Sequence, residues 1–93
     1  MRIVRRPLAQ ADMDAIWSYV AEWDHAAADR IIDRITQATD RLVDYPRSGR
    51  LHPDIGKDWR SVSARPYVIF YQLARDRIEI LRVMHGAQDM PKA

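Results

Sequence analysis

The 93-residue sequence contains no cysteine, and no stretch of it approaches the roughly 18 consecutive apolar residues that a membrane-spanning helix requires. Without cysteine the chain has no disulfide, no thiol nucleophile and no thiolate metal site, which is compatible with a reducing compartment. The N-terminal segment MRIVRRPLAQ also lacks the apolar core of a secretory signal peptide. These absences predict a cytoplasmic protein that makes no contact with a membrane.

Glycine and histidine are scarce, with three residues of each type. The three glycines stand alone, so none of them belongs to a glycine-rich loop that could cradle a phosphate. His25, His52 and His85 lie far apart in the sequence and lack the spacing of metal ligands. The sequence therefore predicts neither a cofactor nor a metal ion.

Apolar residues, in contrast, are plentiful and are spread along the whole chain. Hydrophobic residues make up 47% of the sequence and charged residues 30%, which is the balance of a folded globular protein. A chain of this length can build one compact core but not two independent ones. We expect a single domain over residues 1–93.

The net charge of +2 is too small to indicate nucleic-acid binding, but the charges are unevenly placed. Residues 1–11 carry three arginines and no acid, residues 12–44 carry eight acids against three arginines, and residues 45–93 carry nine basic residues against five acids. If the two basic ends meet in the fold, they could form a cationic patch. The alternative is that these charges are ordinary solvated surface.

The N-terminal half of the chain predicts one strand and two helices. The β-branched run RIVRR, closed by Pro7, is typical of a strand. From about Leu8 to Trp23, apolar residues recur at steps of three and four, the spacing of one helical face. Asp24 is a suitable N-cap for a second helix, whose apolar positions continue from Ala28 to Leu42. Alternating Asp and Arg on the other side of this helix indicate a solvated surface.

The C-terminal half predicts a loop and three strands. Pro46 ends the second helix, and the segment PRSGRLHPDIG has the composition of a loop. DWRSVSA, PYVIFYQL and IEILRVM are rich in β-branched and aromatic residues and predict a meander with Tyr67–Leu73 at its centre. Alternation along the last strand predicts one face made of Ile78, Ile80, Arg82 and Met84. The order β-α-α-β-β-β predicts an α+β fold, an antiparallel sheet with a helical hairpin packed on one face.

Three stretches of the sequence resemble the ParE/RelE toxin superfamily. They are ADMDAIWSYVAE, LVDYPRSGR and, most specifically, YVIFYQL followed by IEILRVMHGAQD. In this family a similar apolar strand precedes a strand that ends in Arg-Val-hydrophobic-His-Gly, with an aspartate three residues beyond the glycine. In this chain the corresponding residues are Tyr67–Tyr71, Arg82–Gly86 and Asp89. The resemblance runs nearly from end to end, and the order and spacing of the three stretches make it specific.

The resemblance implies the RelE/ParE-like fold and the toxin half of a type II toxin–antitoxin system, a class associated with plasmid stabilisation. Such a toxin inhibits growth unless it is bound by an antitoxin encoded beside it. By the same resemblance, the antitoxin has a DNA-binding part and a tail that orders on the toxin, so DNA is contacted only through the antitoxin. We expect the tail to contact Trp17, Trp23 and Trp59, because tryptophans frequently anchor interfaces. The alternative places Trp17 in the core and Trp59 as a cap on the sheet.

Two activities occur in this superfamily, and the resemblance leaves the choice open. ParE-like members inhibit DNA gyrase without catalysis and are neutralised by ParD-like antitoxins. RelE-like members cut messenger RNA on the ribosome without a metal, which requires an acid, a base and cations around the phosphate. This chain has only two lysines and no tyrosine beyond Tyr71, so the nuclease pattern is thin and gyrase inhibition is the preferred hypothesis. A third possibility is a partner-binding domain without toxicity.

The candidate site residues follow from these alternatives. In a nuclease, His85 would act as acid or base, and Arg60, Arg65 and Arg82 would stabilise the phosphate. In a gyrase inhibitor, these four residues and Asp89 would contact the target. His85 could instead bond a nearby turn or Asp89. Arg82 could pair with a carboxylate or a carbonyl, because an unpaired buried charge costs several kcal/mol.

Overall fold

The computed structural model describes residues 1–86 of the chain. Its helices and strands are β1 (Arg2–Arg5), α1 (Pro7–Ala21), α2 (His25–Asp40), β2 (Arg50–Leu51), β3 (Trp59–Ala64), β4 (Tyr67–Leu73) and β5 (Arg77–His85). A 3₁₀ turn, Arg41–Val43, follows α2 directly. Within residues 1–86, no helix is both long enough and apolar enough to cross a membrane.

The starts of the two helices follow from local sequence. Pro7 lies in the first turn of α1, where its missing N–H has no helical partner in any case. Asp24 caps α2 as predicted, since its carboxylate accepts a hydrogen bond from the backbone N–H of Ala27 at 3.1 Å. Trp23 lies in the short turn between the helices, just beyond the end of α1. The helical hairpin is thus largely specified by its own residues.

The five strands form one mixed sheet in the order β1-β5-β4-β3-β2. Strands β3, β4 and β5 form the predicted antiparallel meander, with β4 in the centre of the sheet. Strand β1 lies next to β5 and runs parallel to it, with Arg2 opposite Arg77 and Arg5 opposite Ile80. The two basic ends of the chain therefore do meet in the fold.

Two of the arginines at this meeting point, Arg6 and Arg77, are paired with acids. Arg77 contacts Glu79 at 2.8 Å and Asp76 at 3.0 Å. Arg6 lies 3.9 Å from the same Glu79. The hydrogen bond that Arg77 donates to Glu79 raises the pKa of the Arg77 guanidinium. Because these carboxylates offset the positive charge, the junction of β1 and β5 is not a uniform cationic patch.

Strand β2 lies inside the segment that the sequence predicts as a loop. It consists of Arg50 and Leu51, which pair with Ser61 and Arg60 of β3. Two residues are too few to show the alternation that identifies a strand in sequence. The strand forms because the free edge of β3 presents backbone groups that need partners.

A bulge in β5 makes part of the predicted alternation wrong. Leu81 has no partner on β4, because the register shifts by one residue at this point. An extra residue in a strand reverses the facing of the residues that follow it. Val83 therefore joins Ile78 and Ile80 in the core with 3% exposure, in the place that the sequence pattern assigned to Arg82.

The main core lies between the helical hairpin and one face of the sheet. Met13 of α1 and Ile35 of α2 pack there against Ile69 and Tyr71 of β4, and all four are at most 3% exposed. Phe70, between the last two, is also buried, but it contacts residues on the opposite face of the sheet. Strand β4 is covered on both faces, as its continuous apolar run predicts.

Candidate functional site

Arg82 is held by Asp12 of α1 in a two-pronged ion pair. Its Nε donates to Oδ2 at 2.8 Å and its Nη2 donates to Oδ1 at 3.0 Å. The two side chains are only 29% and 17% exposed, so solvent screens the pair poorly. The hydrogen bond to Asp12 raises the pKa of the Arg82 guanidinium, partial burial opposes this effect, and the attraction of the charges adds to it. Arg82 thus makes the carboxylate pair expected of a structural arginine.

Asp12 also completes the edge of β5. Strand β1 pairs with β5 only as far as Ile80, whose carbonyl accepts from the N–H of Arg6 at 2.9 Å. Further along, the backbone N–H of Val83 donates to Asp12 Oδ2 at 2.9 Å. The carboxylate takes the place of the missing strand partner and satisfies this donor. One side chain therefore fixes α1 both to the backbone of β5 and to Arg82.

Arg60 is bound to the loop that follows α2. Its Nη1 donates to the backbone carbonyls of Arg47 at 3.1 Å and Gly49 at 3.0 Å. Within residues 1–86, no carboxylate lies within salt-bridge distance of its guanidinium. The guanidinium of Arg60 is therefore bound by backbone oxygens of the loop.

Tyr71 secures the same loop from the neighbouring strand. It lies opposite Arg60 in the ladder between β3 and β4. Its buried hydroxyl donates to the carbonyl of Pro46 at 2.8 Å and accepts from the N–H of Gly49 at 2.9 Å. We call Arg60, Tyr71 and residues 46–49 the loop clamp. Sequence reasoning did not identify the clamp, because its members are distant in sequence.

Arg65 and His85 lie at the other end of the sheet. Arg65 occupies the turn between β3 and β4, and His85 ends β5 opposite Tyr67. The rings of His85 and Tyr67 meet edge-on, with centroids 5.6 Å apart. The residue after His85 donates its N–H to the carbonyl of Pro66 at 2.8 Å, which holds the end of β5 against this turn. The structure therefore brings together two of the predicted site residues.

Arg34 of α2 joins this group. Its Nη1 donates to the backbone carbonyl of Arg65 at 2.8 Å. Arg34, Arg65 and His85 are all exposed, and we call them the turn end. Among the described residues, neither arginine has a carboxylate within salt-bridge distance. The sequence pattern placed Arg34 on a solvated helix face, and only the packing of α2 against the sheet shows its proximity to Arg65.

The four candidate catalytic residues do not converge on one point. The residues of β4 that pair with Arg60 and His85 are four positions apart, which is about 13 Å at ~3.3 Å per residue. Arg82 is turned towards Asp12 instead. Asp89, the remaining predicted contact, lies outside the described residues. Within residues 1–86, no three histidine, aspartate or glutamate side chains are grouped so that they could hold a metal ion.

Trp17 and Trp23 lie at the rim of the helical hairpin. Trp17 is 37% exposed, its indole N–H donates to Asp29 of α2 at 2.9 Å, and its ring lies 5.6 Å from that of His25. It therefore ties the two helices together at the surface and is not part of the buried core. Trp23 is 81% exposed, which leaves most of its ring available to a partner.

Trp59 lies on the opposite face of the sheet. Its ring centroid is 6.2 Å from that of Phe70, which also contacts His52 at 5.5 Å. Trp59 is half-buried there and caps the sheet, as one of the two sequence alternatives predicted. The three tryptophans therefore do not form one continuous surface.

An open groove of about 580 Å³ lies on this face of the sheet. In it, Nε2 of the buried His52 lies 2.6 Å from Oγ of Ser61. Sequence reasoning did not identify this pair, because a loop separates the two residues. A serine nucleophile also requires donors placed for the developing oxyanion, so one serine–histidine hydrogen bond does not define a catalytic site. The contact instead fastens the loop after β2 to β3.

Comparison with known proteins gives consistent matches over nearly the whole chain. The family described as the ParE toxin of the type II toxin–antitoxin system, parDE, matches residues 3–90. The chain is 42% identical to the Sinorhizobium fredii protein Y4kP over 86% of this chain and 82% of that one. It is 36% identical to toxin RelE2 of Caulobacter vibrioides over 86% and 89% of the two chains. It is 29% identical to toxin ParE1 of Mycobacterium tuberculosis over 98% and 95%.

Solved structures match the fold. A structure described as a chromosomal ParDE TA system from P. aeruginosa superposes with a TM-score of 0.77 and 23% identity, covering 91% of this chain and 95% of that one. A YoeB/ParE toxin from Agrobacterium tumefaciens gives a TM-score of 0.66 and 15% identity, covering 91% and 98%. At these identities the likeness speaks for the fold alone, and it confirms the predicted RelE/ParE-like α+β architecture.

Proposed function

The chain belongs to the family of ParE toxins of type II toxin–antitoxin systems, and from this premise we propose that it inhibits DNA gyrase by binding. We further propose that a ParD-like antitoxin neutralises it. Relatives named after both ParE and RelE match the chain, so their names do not decide between gyrase inhibition and messenger cleavage. The choice depends on the arrangement of the chain's own side chains.

The observation that favours binding over cleavage is that the candidate arginines bond to different parts of the fold. Metal-free RNA cleavage needs an acid, a base and cations within hydrogen-bond reach of one phosphate group. Arg82 is paired with Asp12, and Arg60 is bonded to loop carbonyls some distance from His85. Two of the three cations are thereby engaged within the fold. Such an arrangement suits a protein that presents a rigid surface more than one that assembles a phosphate site.

The turn end is the proposed target-contacting surface. Arg34 and Arg65 present exposed guanidinium groups that can pair with carboxylates on another protein. His85 lies beside them, packed against Tyr67. Arg60 and Arg82 then contribute indirectly, because they hold the loop and α1 that support this sheet. A contact by Asp89 remains a prediction.

The antitoxin is proposed to contact the rim of the helical hairpin at Trp17 and Trp23. The family of the chain is described as the ParE toxin of the type II toxin–antitoxin system, parDE, which supports an antitoxin as partner. Among residues 1–86, Trp23 is the most exposed of the large apolar residues, and it has the character of an interface anchor. Trp23→Ala should weaken antitoxin binding by about tenfold or more, as expected for an anchor residue. Trp59→Ala should have a smaller effect, because Trp59 is half-buried against Phe70. Unchanged affinity in both variants would show that the antitoxin binds elsewhere.

The test of function is a DNA supercoiling assay with purified gyrase, run beside an in vitro translation reaction in which messenger cleavage is read by primer extension. We expect inhibited supercoiling and intact messenger. Cleaved messenger with normal supercoiling would contradict the proposal and establish the RelE-like activity. Normal supercoiling together with intact messenger would indicate a partner-binding domain without toxicity on either target.

His85→Ala is the discriminating variant in both assays. Messenger cleavage that depends on acid–base chemistry at His85 should be abolished by this change. Inhibition by binding should be weakened at most, because one contact of several is removed. His25→Ala is the matched control, since His25 is an exposed histidine nine residues before Arg34 in α2, or about 13.5 Å away along the helix.

A further inference from the structure

Helix α1 carries an apolar face that nothing in the described chain covers. Its inner side packs into the core, whereas Leu8, Ala11, Ala15 and Tyr19 point outward, followed by Trp23 beyond the helix end. Leu8, Tyr19 and Trp23 are 62%, 69% and 81% exposed. Steps of three and four residues align these positions along one side of the helix. We call them the α1 outer face.

The charges at the ends of α1 are opposite to those that its dipole favours. The first turn contains no acidic residue and the last turn contains no basic residue. Instead, Arg5 and Arg6 precede the helix, and Glu22 and Asp24 follow it. A helix dipole is stabilised by anions at the N-terminus and cations at the C-terminus. An antiparallel helix with the same charge arrangement would bring acids to each N-terminus and arginines to each C-terminus.

We propose that the α1 outer face binds the α1 outer face of a second copy of this chain. The two helices run antiparallel about a two-fold axis that passes through Ala15. In this register Ala11 of one copy lies opposite Tyr19 of the other, so that a small side chain faces a large one. Arg6 of one copy approaches Asp24 of the other. The same surface thus supplies both halves of the contact.

The size of the face sets the strength of this association. A helix of 15 residues is about 22 Å long, so its exposed side covers far less than the ~800 Å² per partner of a stable complex. The dimer is therefore weak and forms at high concentration of the free toxin. Because Trp23 belongs to this face and to the proposed antitoxin surface, antitoxin binding should displace the second copy.

The absence of cysteine allows a direct test by single-cysteine crosslinking of the full chain. In a close helix pair, Cα atoms that face each other across the axis lie about 3.4–5.4 Å apart, which overlaps the disulfide range of ~4.4–6.8 Å. Ala15→Cys should therefore crosslink to its own copy under mild oxidation. Ala11→Cys is the matched control on the same face, because its two copies would be offset by about 12 Å along the axis. Equal crosslinking of the two variants would overturn the proposed register.

Sedimentation velocity over a micromolar to millimolar range measures the association itself. We expect a monomer at low concentration and a dimer at high concentration, with Ala15→Glu weakening association about tenfold or more because two carboxylates then meet at the axis. Gln37→Glu makes a similar charge change at an exposed position of α2 and should have no effect. Arg6→Glu should also weaken the dimer, because it brings an acid towards Asp24 of the other copy.

Three results would overturn the proposal. The first is a chain that remains monomeric at every concentration. The second is a dimer that Ala15→Glu does not weaken, which would place the contact on another surface. The third is loss of antitoxin binding in Ala15→Glu without any self-association of the unmodified chain, which would assign the α1 outer face to the antitoxin alone. Circular dichroism of each variant shows whether its helices are intact.

Discussion

The loop clamp and the turn end lie at opposite ends of the same two strands, yet they use arginine in opposite ways. Arg60 and Arg65 are only five residues apart in the sequence. Arg60 donates to two backbone carbonyls and fixes a loop. Arg65 is exposed, and within residues 1–86 its carbonyl accepts a hydrogen bond from Arg34 while its guanidinium has no salt-bridge or hydrogen-bond partner. The comparison indicates that the fold requires the first arginine and leaves the second available to a partner.

Like Arg60, Arg82 is engaged within the fold. Loss of its partner, Asp12, is expected to have the largest effect on stability. Asp12→Ala removes three hydrogen bonds and leaves Arg82 and the N–H of Val83 without their acceptor. We expect a loss of about 2–4 kcal/mol in the free energy of unfolding, measured by chemical denaturation. Asp14→Ala is the control. It removes an exposed carboxylate two residues further along α1 and should cost less than about 0.5 kcal/mol. Equal stability of the two variants would contradict the anchoring role of Asp12.

The second-largest loss of stability is expected at Gly49 of the loop clamp. A Cβ atom on Gly49 would lie 2.6 Å from Cε1 of Tyr71 and 2.9 Å from the carbonyl oxygen of Ser61. Gly49→Ala must therefore displace the loop, at a cost of about 1–3 kcal/mol in thermal or chemical unfolding. Ser48→Ala, at the exposed neighbouring position, should leave stability nearly unchanged. Full stability of Gly49→Ala would mean that the loop does not pack closely on Tyr71.

A smaller loss is expected from the hydroxyl of the same tyrosine. Tyr71→Phe keeps the buried ring but removes the two hydrogen bonds to residues 46 and 49. The free energy of unfolding should fall by about 1–2 kcal/mol, because a partly buried carbonyl and a buried N–H lose their partner. Hydrogen exchange should speed up at Gly49 and leave the centre of β4 protected. Unchanged exchange at Gly49 would argue against the clamp.

The turn end should give the smallest effect on stability. Arg65→Ala removes an exposed side chain that has no recorded side-chain hydrogen bond or salt bridge within residues 1–86. Its free energy of unfolding should stay within about 0.5 kcal/mol of the unmodified chain. A loss similar to that of Tyr71→Phe would show that Arg65 supports the fold, and the contrast between the two ends would disappear.

The sequence predicted the helices, the meander and the cap at Asp24, because each rests on local periodicity or a local hydrogen bond. It could not predict β2, since two residues carry no period. Nor could it predict the parallel pairing of β1 with β5 or the unpaired Leu81, which depend on how distant strands meet. Both features arise from tertiary packing and leave no pattern within a single segment.

The candidate site could be predicted only in part, because the contacts between its residues also arise from tertiary packing. The sequence identified Arg82 as an arginine that should find a carboxylate, but not that Asp12, 70 residues away, supplies it. Arg65 and His85 were both named, and the pairing of β4 with β5 brings them to one end. Arg34 was not named, because its place beside Arg65 depends on the packing of α2. Residue chemistry can thus be read from sequence, whereas convergence of residues cannot.

The inhibition of gyrase supercoiling by turn-end variants tests the central claim most directly. The assay compares the unmodified protein, the Arg34→Ala/Arg65→Ala double variant and Tyr71→Phe, each at equal concentration of folded protein. If the turn end contacts the target, the double variant should lose about tenfold or more in inhibitory potency at unchanged stability, and Tyr71→Phe should retain its potency. Full inhibition by the double variant would contradict the account and place the target contact on another surface.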